Sequence, residues 1–283
     1  MSVTVSGATR LTGVFGHPVS HSQSPAMHNA AFAQMGLDYI YVPFDVHPDN
    51  LEAAVAGIRA LNMVGVNVTI PHKERVIPFL DWVSEDARYI QSVNTIHCLE
   101  GALRGYSTDG EGFINALEAS GKNPAGSKAV ILGAGGSARA TAHGLFTHGA
   151  EVTVVNRTFS RAVELASMLS AIRPIALDSR DAVEAVQKAD LLVNCTSVGM
   201  YPKVDEQPVP SEWLHEKLFV FDQVYNPLES RLLKAARSAG CRTANGVKML
   251  VFQGAISFEI WTGHAPPIEV MESAVLAGLH SRP

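Results

Sequence analysis

The sequence predicts an α/β protein of two domains, and three observations carry this prediction. The chain has 283 residues, which is more than the usual size of one compact domain. Short apolar runs typical of strands alternate with helix-type runs over residues 11–68, and the alternation begins again at residue 129. A polar stretch that contains Pro124 and Gly126 separates the two series. Each series is therefore expected to form its own set of βαβ units.

The first series predicts a sheet of mixed direction. Strand-type runs occur at residues 11–15, 39–44 and 64–68, and helix-type runs occur at residues 25–35 and 49–61. Two further runs, residues 94–99 and 102–106, flank Glu100-Gly101, a dipeptide that predicts a tight antiparallel hairpin. Parallel strands joined by helices, together with an added hairpin, make a mixed sheet.

The second series has the order of a doubly wound dinucleotide-binding (Rossmann) domain. After a helical run that ends at Gly121, it passes through strand, glycine turn, helix, strand and helix, with further strands near Leu191 and Phe219. The pattern stops around Gly246, where residues 247–261 predict a long helix that returns to the first domain. The predicted domains are a substrate domain over residues 1–110, completed by 246–283, and a Rossmann domain over residues 111–245.

Composition excludes several classes of protein. Apolar residues make up 47% of the chain and charged residues 17%, as in ordinary globular proteins. No apolar run approaches the roughly 20 residues that span a bilayer, so no membrane segment is predicted. Residues 1–10 lack the pattern of a secretory signal, which favours the cytoplasm. The net charge is −5 and no track of Lys and Arg runs along the chain, so we expect a small-molecule substrate and no nucleic acid.

Neither the cysteines nor the histidines predict a metal site. The 3 cysteines form no CxxC pair and are odd in number, which argues against a disulfide framework and a structural zinc site. Several histidines lie near the polar motifs of the first domain, namely His17, His21, His28 and His72. None of them forms an HExxH-type pair, so we assign them to packing or capping and expect no metal.

A glycine-rich turn predicts the cofactor site. The segment Gly133-Ala134-Gly135-Gly136-Ser137-Ala138 lies directly between a predicted strand and a predicted helix. Gly133 permits a tight turn, Gly135 lets the backbone approach a pyrophosphate, and the small Ala138 allows close packing of helix on strand. A pyrophosphate there would meet free N–H groups at the positive end of the helix dipole. A plain glycine turn would not require the strand and helix around it, so cofactor binding is the favoured interpretation.

The end of the second strand of this domain favours NADP over NAD. An acid in this position accepts a hydrogen bond from the ribose 2′-OH of NAD, but the sequence here is Asn156-Arg157-Thr158, with Arg161 nearby. Arg157 offers a fork of donors to a 2′-phosphate, and Asn156 and Thr158 add neutral hydrogen-bonding groups. The alternative is that Arg157 is only a solvated surface residue. Because the acid is absent, we predict NADP as the cofactor.

Polar residues also gather in several motifs of the first domain. Ser22 and Ser24 precede a predicted helix, where Ser24 is expected to be the N-cap and hydroxyl and N–H groups could receive a carboxylate. Period-two alternation places Asn67 and Thr69 on one face at a strand end, and Lys73 is expected to open the helix that follows. Each residue taken singly is more often a solvated turn residue than a ligand.

Taken together, these motifs resemble the shikimate dehydrogenase family over about residues 12–261. The matching blocks are His21-Ser-x-Ser-Pro, Asn67-Val-Thr-x-Pro-x-Lys73, Val93-Asn-Thr, Thr108-Asp-Gly, Gly133-Ala-Gly-Gly, Asn156-Arg-Thr, Asn194-x-Thr-x-x-Gly-Met200, Asp222-x-x-Tyr225-x-Pro and Met249-Leu-x-x-Gln253-Gly. They follow one another in the family's order. The resemblance implies that NADPH reduces 3-dehydroshikimate to shikimate, a step in the synthesis of aromatic amino-acid precursors.

The resemblance also implies roles for individual residues. Lys73 would be the catalytic residue, with Asp109 beside it, while Ser22 and Ser24 would hold the substrate carboxylate. The other substrate-binding residues would be Asn67, Thr69, Asn94, Tyr225 and Gln253. The cofactor set would add, to the glycine turn and the Asn-Arg-Thr block, Glu85, Thr196, Met200, Gln223 and Gly246. Met200 would lie beside the nicotinamide.

Some positions depart from the family's usual pattern. Ser107 stands where Asn commonly precedes Thr-Asp, Gln91-Ser92 replaces Gly-Ala, and Ser230 replaces a Thr. These departures leave open a quinate/shikimate dehydrogenase that uses NAD. A non-catalytic protein that senses NADP on the same scaffold is the alternative from another class. A homodimer is the default expectation for assembly.

Overall fold

The computed structural model describes residues 5–169 and 171–280, and it divides into two compact units. Unit 1 comprises Met1–Thr108 and Leu250–Pro283, and unit 2 comprises Asp109–Met249. Unit 1 is thus assembled from both ends of the chain, whereas unit 2 is one continuous segment. Each unit contains helices and a 6-stranded sheet.

Unit 1 has a sheet of mixed direction, as the sequence predicts. Its strands are β1 (Arg10–Gly16), β2 (Tyr39–Asp45), β3 (Gly65–Val68), β4 (Trp82–Val83), β5 (Thr95–Leu99) and β6 (Ala102–Tyr106), in the order β2-β1-β3-β5-β6-β4. Strand β1 pairs in parallel with β2 and β3, whereas β5 pairs antiparallel with β3 and β6. The predicted β5–β6 hairpin turns at Glu100 and Gly101, which have the positive φ angles of 53° and 81° that such a turn requires.

Unit 2 has a fully parallel sheet, which confirms the predicted doubly wound domain. Its strands are β7 (Lys128–Leu132), β8 (Glu151–Asn156), β9 (Arg173–Ala176), β10 (Leu191–Asn194), β11 (Phe219–Asp222) and β12 (Arg242–Ala244). They lie in the order β12-β11-β10-β7-β8-β9, so the direction of winding reverses between β7 and β10. Strands β10 and β11 are buried at every position, as expected of strands covered on both faces.

The helices connect these strands. They are α1 (Ser24–Gln34), α2 (Leu51–Ala60), α3 (Glu85–Tyr89), α4 (Asp109–Ala119), α5 (Gly136–Thr147), α6 (Phe159–Met168), α7 (Arg180–Gln187), α8 (Arg231–Ser238), α9 (Val247–Thr262) and α10 (Ile268–His280). Short 3-10 segments lie at Pro48–Asn50, Ile77–Phe79 and Ser211–Trp213. Within the described residues, no helix combines the length and the apolar character that crossing a membrane requires.

Two local predictions were wrong. Lys73 opens no α-helix, because Pro71 and Pro78 bracket the segment and a proline both lacks an N–H and disfavours helix in the residue before it. Ser24 is not the N-cap of α1 but its first residue, and the cap is Gln23, whose side chain makes no capping hydrogen bond. The hydroxyl of Ser22 accepts a hydrogen bond from the N–H of Ser24 at 3.3 Å, and the helix begins one residue earlier than expected.

Strand β2 lies at an edge of the unit 1 sheet, and Asn29 of α1 covers part of that edge. The side-chain amide of Asn29 donates to the carbonyl oxygen of Tyr41 at 3.0 Å and accepts from its N–H at 2.8 Å. The amide therefore pairs with the edge strand as a neighbouring strand would. Pro43 further along β2 has no N–H to offer, which is another means of protecting an edge.

Each unit has an apolar core of its own. In unit 1 the core includes Phe15, Val66, Val68 and Ile96, which lie on the sheet beneath α2 residues such as Ile58. In unit 2 it is formed by apolar residues of the parallel strands and of the helices packed on them, among them Val130, Leu192, Val220, Val186 and Leu232. Each core fixes the strand ends of its own unit, and the candidate residues of that unit lie at or after those ends.

Candidate active site

The glycine turn between β7 and α5 has the geometry of a pyrophosphate cradle. Gly133 has a φ of +110°, and a Cβ there would lie 3.1 Å from the Thr196 methyl group. A Cβ on Gly135 would meet no heavy atom within 4 Å, so space is open above this backbone. Gly135 is the N-cap of α5, and within the described residues no side chain caps the helix and no acid lies in its first turn. Its N–H groups are thus available to an anionic ligand such as the pyrophosphate of NADP.

The end of β8 presents two exposed arginines. Arg157 and Arg161 are both exposed, and neither makes an ion pair within the described part of the chain. The side-chain amide of Asn156 donates to the carbonyl oxygen of Thr158 at 2.8 Å, which fixes the loop that carries Arg157. Two guanidinium groups beside the second strand suit the 2′-phosphate of NADP in position and in charge.

The loop after β10 is held in shape by Asn194. The side-chain oxygen of Asn194 accepts from both the N–H and the hydroxyl of Thr196, at 3.0 and 2.7 Å. The Thr196 hydroxyl in turn accepts from the N–H of Val198 at 3.2 Å, and the N–H of Met200 donates to Ser197 at 3.2 Å. The hydroxyl of Thr196 is therefore engaged within its own loop, and the loop is a fixed platform that ends at Met200.

Gln223 joins the end of β11 to the first turns of α5. Its side-chain oxygen accepts from the Ser137 hydroxyl at 2.6 Å, and its side-chain nitrogen donates to the Thr141 hydroxyl at 2.7 Å. Gly246 packs so closely against Gln223 that a Cβ would overlap the Gln223 carbonyl oxygen. Ser137, Gln223 and Gly246 thus form one structural unit at the helix N-terminus. Thr141 belongs to it as well, although no sequence motif marks it.

In unit 1, Asn94 and Gln253 meet in a buried hydrogen-bond network. The Asn94 side-chain oxygen accepts from the N–H of Thr108 at 2.8 Å, and its side-chain nitrogen donates to the Gln253 side-chain oxygen at 3.2 Å. The Gln253 side-chain nitrogen donates to the carbonyl oxygen of Leu250 at 2.7 Å. The orientation of both amides is therefore fixed by the protein, as a site that discriminates hydroxyl groups requires.

Asn67 lies beneath this pair and bonds to the protein through every polar atom of its side chain. Its oxygen accepts from the Tyr41 hydroxyl at 2.8 Å. Its nitrogen donates to the carbonyl oxygen of Asn94 at 3.1 Å and to the hydroxyls of Thr95 and Ser257 at 3.1 and 3.0 Å. This geometry makes Asn67 a support for Asn94. Burial raises the pKa of Tyr41 well above its ordinary value, so its hydroxyl remains a donor at neutral pH.

The remaining residues of the first motifs lie at the carboxyl end of β1 and β3. Thr69 follows β3, its N–H donates to the Phe15 carbonyl oxygen at 2.9 Å, and its methyl group occupies the place of a Cβ on Gly16. Lys73 is half-buried, and its carbonyl oxygen accepts from the N–H of Val93 at 2.9 Å. Ser22 is half-buried and Ser24 is buried at the start of α1.

Three more of the residues implied by the family resemblance, Asp109, Tyr225 and Glu85, lie outside the motifs at β1 and β3. Asp109 is the first residue of α4 and is buried, with 4% of its surface exposed. Tyr225 is half-buried in the loop after β11. Glu85 is exposed in the first turn of α3, and it belongs to unit 1, not to the unit that carries the glycine turn.

The histidines near these motifs make protein contacts. His72 donates from Nε2 to the Val46 carbonyl oxygen at 2.7 Å, and burial lowers its pKa. His17 contacts Asp45 at 2.7 Å. No cluster of three or more His, Cys, Asp or Glu side chains in the described part of the chain could hold a metal ion.

The whole chain resembles known proteins closely. Residues 14–96 match the family model described as the shikimate dehydrogenase substrate binding domain, residues 116–222 that of shikimate / quinate 5-dehydrogenase, and residues 246–276 that of the shikimate 5′-dehydrogenase C-terminal domain. A curated relative, shikimate dehydrogenase (NADP(+)) from Methanopyrus kandleri, is 50% identical over 287 residues, which cover 99% of each chain. The chain belongs to the shikimate dehydrogenase family.

Solved structures of the family agree with the fold. A crystal structure of a shikimate dehydrogenase in complex with NADP+ has a TM-score of 0.92 and 42% identity to this chain, with 98% of each chain covered. The shikimate 5-dehydrogenase from Thermus thermophilus, in complex with NADP(H) and shikimate, has a TM-score of 0.89 and 40% identity, covering 96% of this chain and 100% of that one. The predicted architecture of a substrate domain and a Rossmann domain is thereby confirmed.

The departures from the family pattern each have a local structural setting. Gln91 has a φ of +52°, a conformation that glycine adopts without strain and that other residues rarely occupy. The hydroxyls of Ser92 and Ser107 are buried without a hydrogen-bond partner in the described residues, whereas an alanine at position 92 would have no hydroxyl to bury. Ser230 caps α8 through its hydroxyl, a bond that a threonine would make equally well.

Proposed function

We propose that this protein catalyses the reversible, NADPH-dependent reduction of 3-dehydroshikimate to shikimate. The observation that carries the proposal is the near-complete coverage by relatives named shikimate dehydrogenase (NADP(+)), combined with an open glycine turn and an arginine-bearing, acid-free end of β8. The polar network of Asn94, Thr108 and Gln253 supports a substrate rich in hydroxyl groups. When bound, NADPH supplies the hydride. The residues of this chain supply the binding, the orientation and the proton.

Lys73 is proposed as the proton donor and Asp109 as the residue that orients it. Reduction of a ketone leaves an alkoxide, and an ammonium group within hydrogen-bond reach both stabilises that charge and donates the proton. A carboxylate beside the ammonium keeps it charged and fixes its direction. A ternary complex in which Lys73 and Asp109 point away from the same substrate carbon would contradict this assignment.

The carboxylate and hydroxyls of the substrate are assigned to different residues. Ser22 and Ser24, at the start of α1, are proposed to hold the carboxylate, with support from two hydroxyl groups that lie together at a helix N-terminus. Thr69, Asn94, Gln253 and Tyr225 are proposed to bind the hydroxyls, with Asn67 held beneath Asn94. Glu85 and Met200 remain proposed cofactor contacts. We further propose a homodimer located in the cytoplasm; sedimentation velocity would test its stoichiometry.

The deciding experiment is an oxidation assay followed at 340 nm. Shikimate and quinate are each offered with NADP+ and with NAD+ at matched concentrations. The proposal expects shikimate with NADP+ to have the highest kcat/KM. Comparable values for quinate with NAD+ would indicate a quinate/shikimate dehydrogenase, and binding of NADP+ without turnover of either substrate would indicate a non-catalytic sensor.

Lys73→Ala tests the proton donor separately. Removing a positioned acid is expected to lower kcat by about 10²- to 10⁴-fold, because the alkoxide is then left without its donor, while the Kd for NADP+ stays near the wild-type value. The matched control is Lys217→Ala, which removes an exposed lysine from the loop before β11 and should leave kcat unchanged. A loss of less than tenfold in Lys73→Ala would rule out the role.

A further inference from the structure

A buried carboxylate lies at the end of β11 in unit 2, outside the residues assigned above. Asp222 has 0% of its surface exposed, and no cationic side chain of the described residues forms an ion pair with it. Instead it accepts from the side-chain nitrogen of Asn194 at 2.9 Å, from the N–H of Val224 at 3.1 Å and from the hydroxyl of Ser230. An acid buried with neutral donors alone is costly to maintain, which calls for a physical reason.

The three donors belong to three different segments. Asn194 ends β10 and organises the loop of Thr196 and Met200, Val224 opens the loop after β11, and Ser230 caps α8 by accepting from the N–H of Leu233 at 3.3 Å. The side-chain nitrogen of Asn194 also donates to the Val198 carbonyl oxygen at 3.3 Å. Asp222 thus connects both loops that follow the central strands β10 and β11.

Strand order identifies the part of the dinucleotide that these loops face. In a doubly wound sheet the two halves of a dinucleotide lie over the two halves of the sheet, on either side of the reversal point. The 2′-phosphate end belongs to β8 with Arg157, on one side of β7. The loops after β10 and β11 lie on the other side, which is the nicotinamide half.

We propose that Asp222 is a positioning residue for the nicotinamide half of the cofactor site, acting through Asn194 and Val224. This inference rests on the proposed function. A carboxylate has only acceptor atoms, so it orients three donors at once and fixes which atom of the Asn194 amide faces Thr196. An asparagine at position 222 would present an NH₂ group to one of those donors, and the loop of Thr196 and Met200 would lose its single arrangement.

The titration of Asp222 agrees with this environment. Burial raises the pKa of its carboxyl group above the ordinary value, while the hydrogen bonds from Ser230, Val224 and Asn194 act in the opposite direction. The donors around the carboxyl group thus favour its charged form and oppose the effect of burial.

The test uses the full-length protein and compares two ligands. The adenosine end alone is represented by 2′,5′-ADP, and the whole cofactor by NADP+, with Kd values measured by calorimetry. In Asp222→Asn the Kd for 2′,5′-ADP should stay within twofold of wild type, and the ratio of the NADP+ Kd to the 2′,5′-ADP Kd should rise at least threefold. The kcat for shikimate should fall at least tenfold, with a larger primary isotope effect when the transferred hydrogen is deuterium.

Three variants complete the design. Asp190→Asn changes an exposed aspartate at the opposite end of the same sheet, which accepts from the N–H of Lys128 at 2.9 Å, and should resemble wild type. Ser230→Thr keeps the hydroxyl and should also resemble wild type, whereas Ser230→Ala removes one of the three donors and should show the same changes in smaller degree. If Asp222→Asn does not fold, the comparison of Ser230→Ala with Ser230→Thr in the same measurements tests the proposal.

The outcomes separate this proposal from the proposed function. If Asp222→Asn weakened the binding of 2′,5′-ADP and NADP+ by the same factor and left the isotope effect unchanged, the role of Asp222 would be merely structural and the inference would be overturned. Wild-type Kd values for both ligands, together with a wild-type isotope effect, would overturn it too. Failure of the wild-type protein to oxidise shikimate would overturn the proposed function alone, because the ratio of ligand affinities would still test the position of Asp222.

Discussion

The burial of His28 makes the stability of unit 1 depend on pH. Its side chain is fully buried, its ring stacks on Tyr41 with 4.4 Å between centroids, and neither ring nitrogen has a partner in the described residues. Burial lowers its pKa from 6.5 to about 3. The unfolded chain therefore binds a proton below about pH 6.5, whereas the folded chain does so only near pH 3.

The expected result is a loss of stability as the pH falls through this window. Between pH 7.5 and pH 5, His28 alone should lower the free energy of unfolding by about 2 kcal/mol. His28→Phe keeps an aromatic ring but removes the titration, so urea unfolding of this variant should change less with pH. The fluorescence of Trp261, whose ring centroid lies 5.4 Å from that of His28, reports the transition.

His264→Gln is the matched control, because it removes an exposed histidine from the segment after α9. This control should keep the pH dependence of the wild type. If His28→Phe and wild type lost the same free energy between pH 7.5 and pH 5, the titration of His28 would not be the cause.

Individual residues differ in how far the sequence could assign them. Gly133 and Arg157 could be placed in the fold because motifs mark the turn after β7 and the end of β8, and their cofactor-binding roles stay predictions. Asn67 lies in a motif too, but its side chain bonds to Tyr41 and Ser257, which are distant in sequence. Asp222 was visible as part of a motif, yet its three donors come from segments that only the folded sheet brings together.

At the scale of elements, periodicity predicted most of the helices and strands of unit 1 and the first two βα units of unit 2. The strands β4 and β12 have only 2 and 3 residues and were not predicted, because such short strands exist through pairing with a neighbour and not through a pattern of their own. Strand β9 and the helices α3, α7, α8 and α10 were also missed. The predicted helix after Lys73 failed because the prolines around it outweigh its composition.

In the β7–turn–α5 element, a glycine that the fold requires can be distinguished from a glycine that only a bound ligand would require. Gly135 has a φ of −84°, and a Cβ there meets nothing within 4 Å, so the fold itself tolerates a side chain at this position. A pyrophosphate bound close to the backbone of Gly135, by contrast, would leave no room for a side chain there. We therefore expect Gly135→Val to leave Tm nearly unchanged while raising the Kd for NADP+ by at least about tenfold.

Two further glycine variants serve as controls for this prediction. Gly133→Ala places a side chain at a φ of +110° and against Thr196, so Tm should fall in this variant. Gly57→Ala, in the middle of α2 with open space around it, should leave NADP+ binding at the wild-type level. Unaltered NADP+ affinity in Gly135→Val would remove the glycine turn from the cofactor site.

At the scale of the whole molecule, the two units differ in how the chain builds them. Unit 2 is continuous, and its sheet and core lie within Asp109–Met249. Unit 1 needs its C-terminal helices: the Trp261 indole donates to the Ile96 carbonyl oxygen at 3.0 Å, and the Phe258 ring lies 5.2 Å from that of Phe32. Asn67 also donates to Ser257 of α9 at 3.0 Å.

The two units should therefore respond differently to excision. Residues 109–249 alone should unfold cooperatively and bind 2′,5′-ADP. Residues 1–108 alone should lack cooperative unfolding, because removal of Trp261 and Phe258 exposes the apolar surface on which they pack. Adding a peptide of residues 247–283 should restore the fold, seen as a blue shift of Trp261 emission when Trp82 of the larger fragment is replaced by Phe.

A peptide carrying Phe258→Ser is the control for that complementation, since it keeps the length and the helix but not the ring that packs on Phe32. It should bind the fragment at least about tenfold more weakly, because replacing a buried phenylalanine by a small side chain removes on the order of 3 kcal/mol of packing. Cooperative unfolding of residues 1–108 without any peptide would mean that the N-terminal segment forms a complete core, and that α9 and α10 contribute to the site without being needed for the fold.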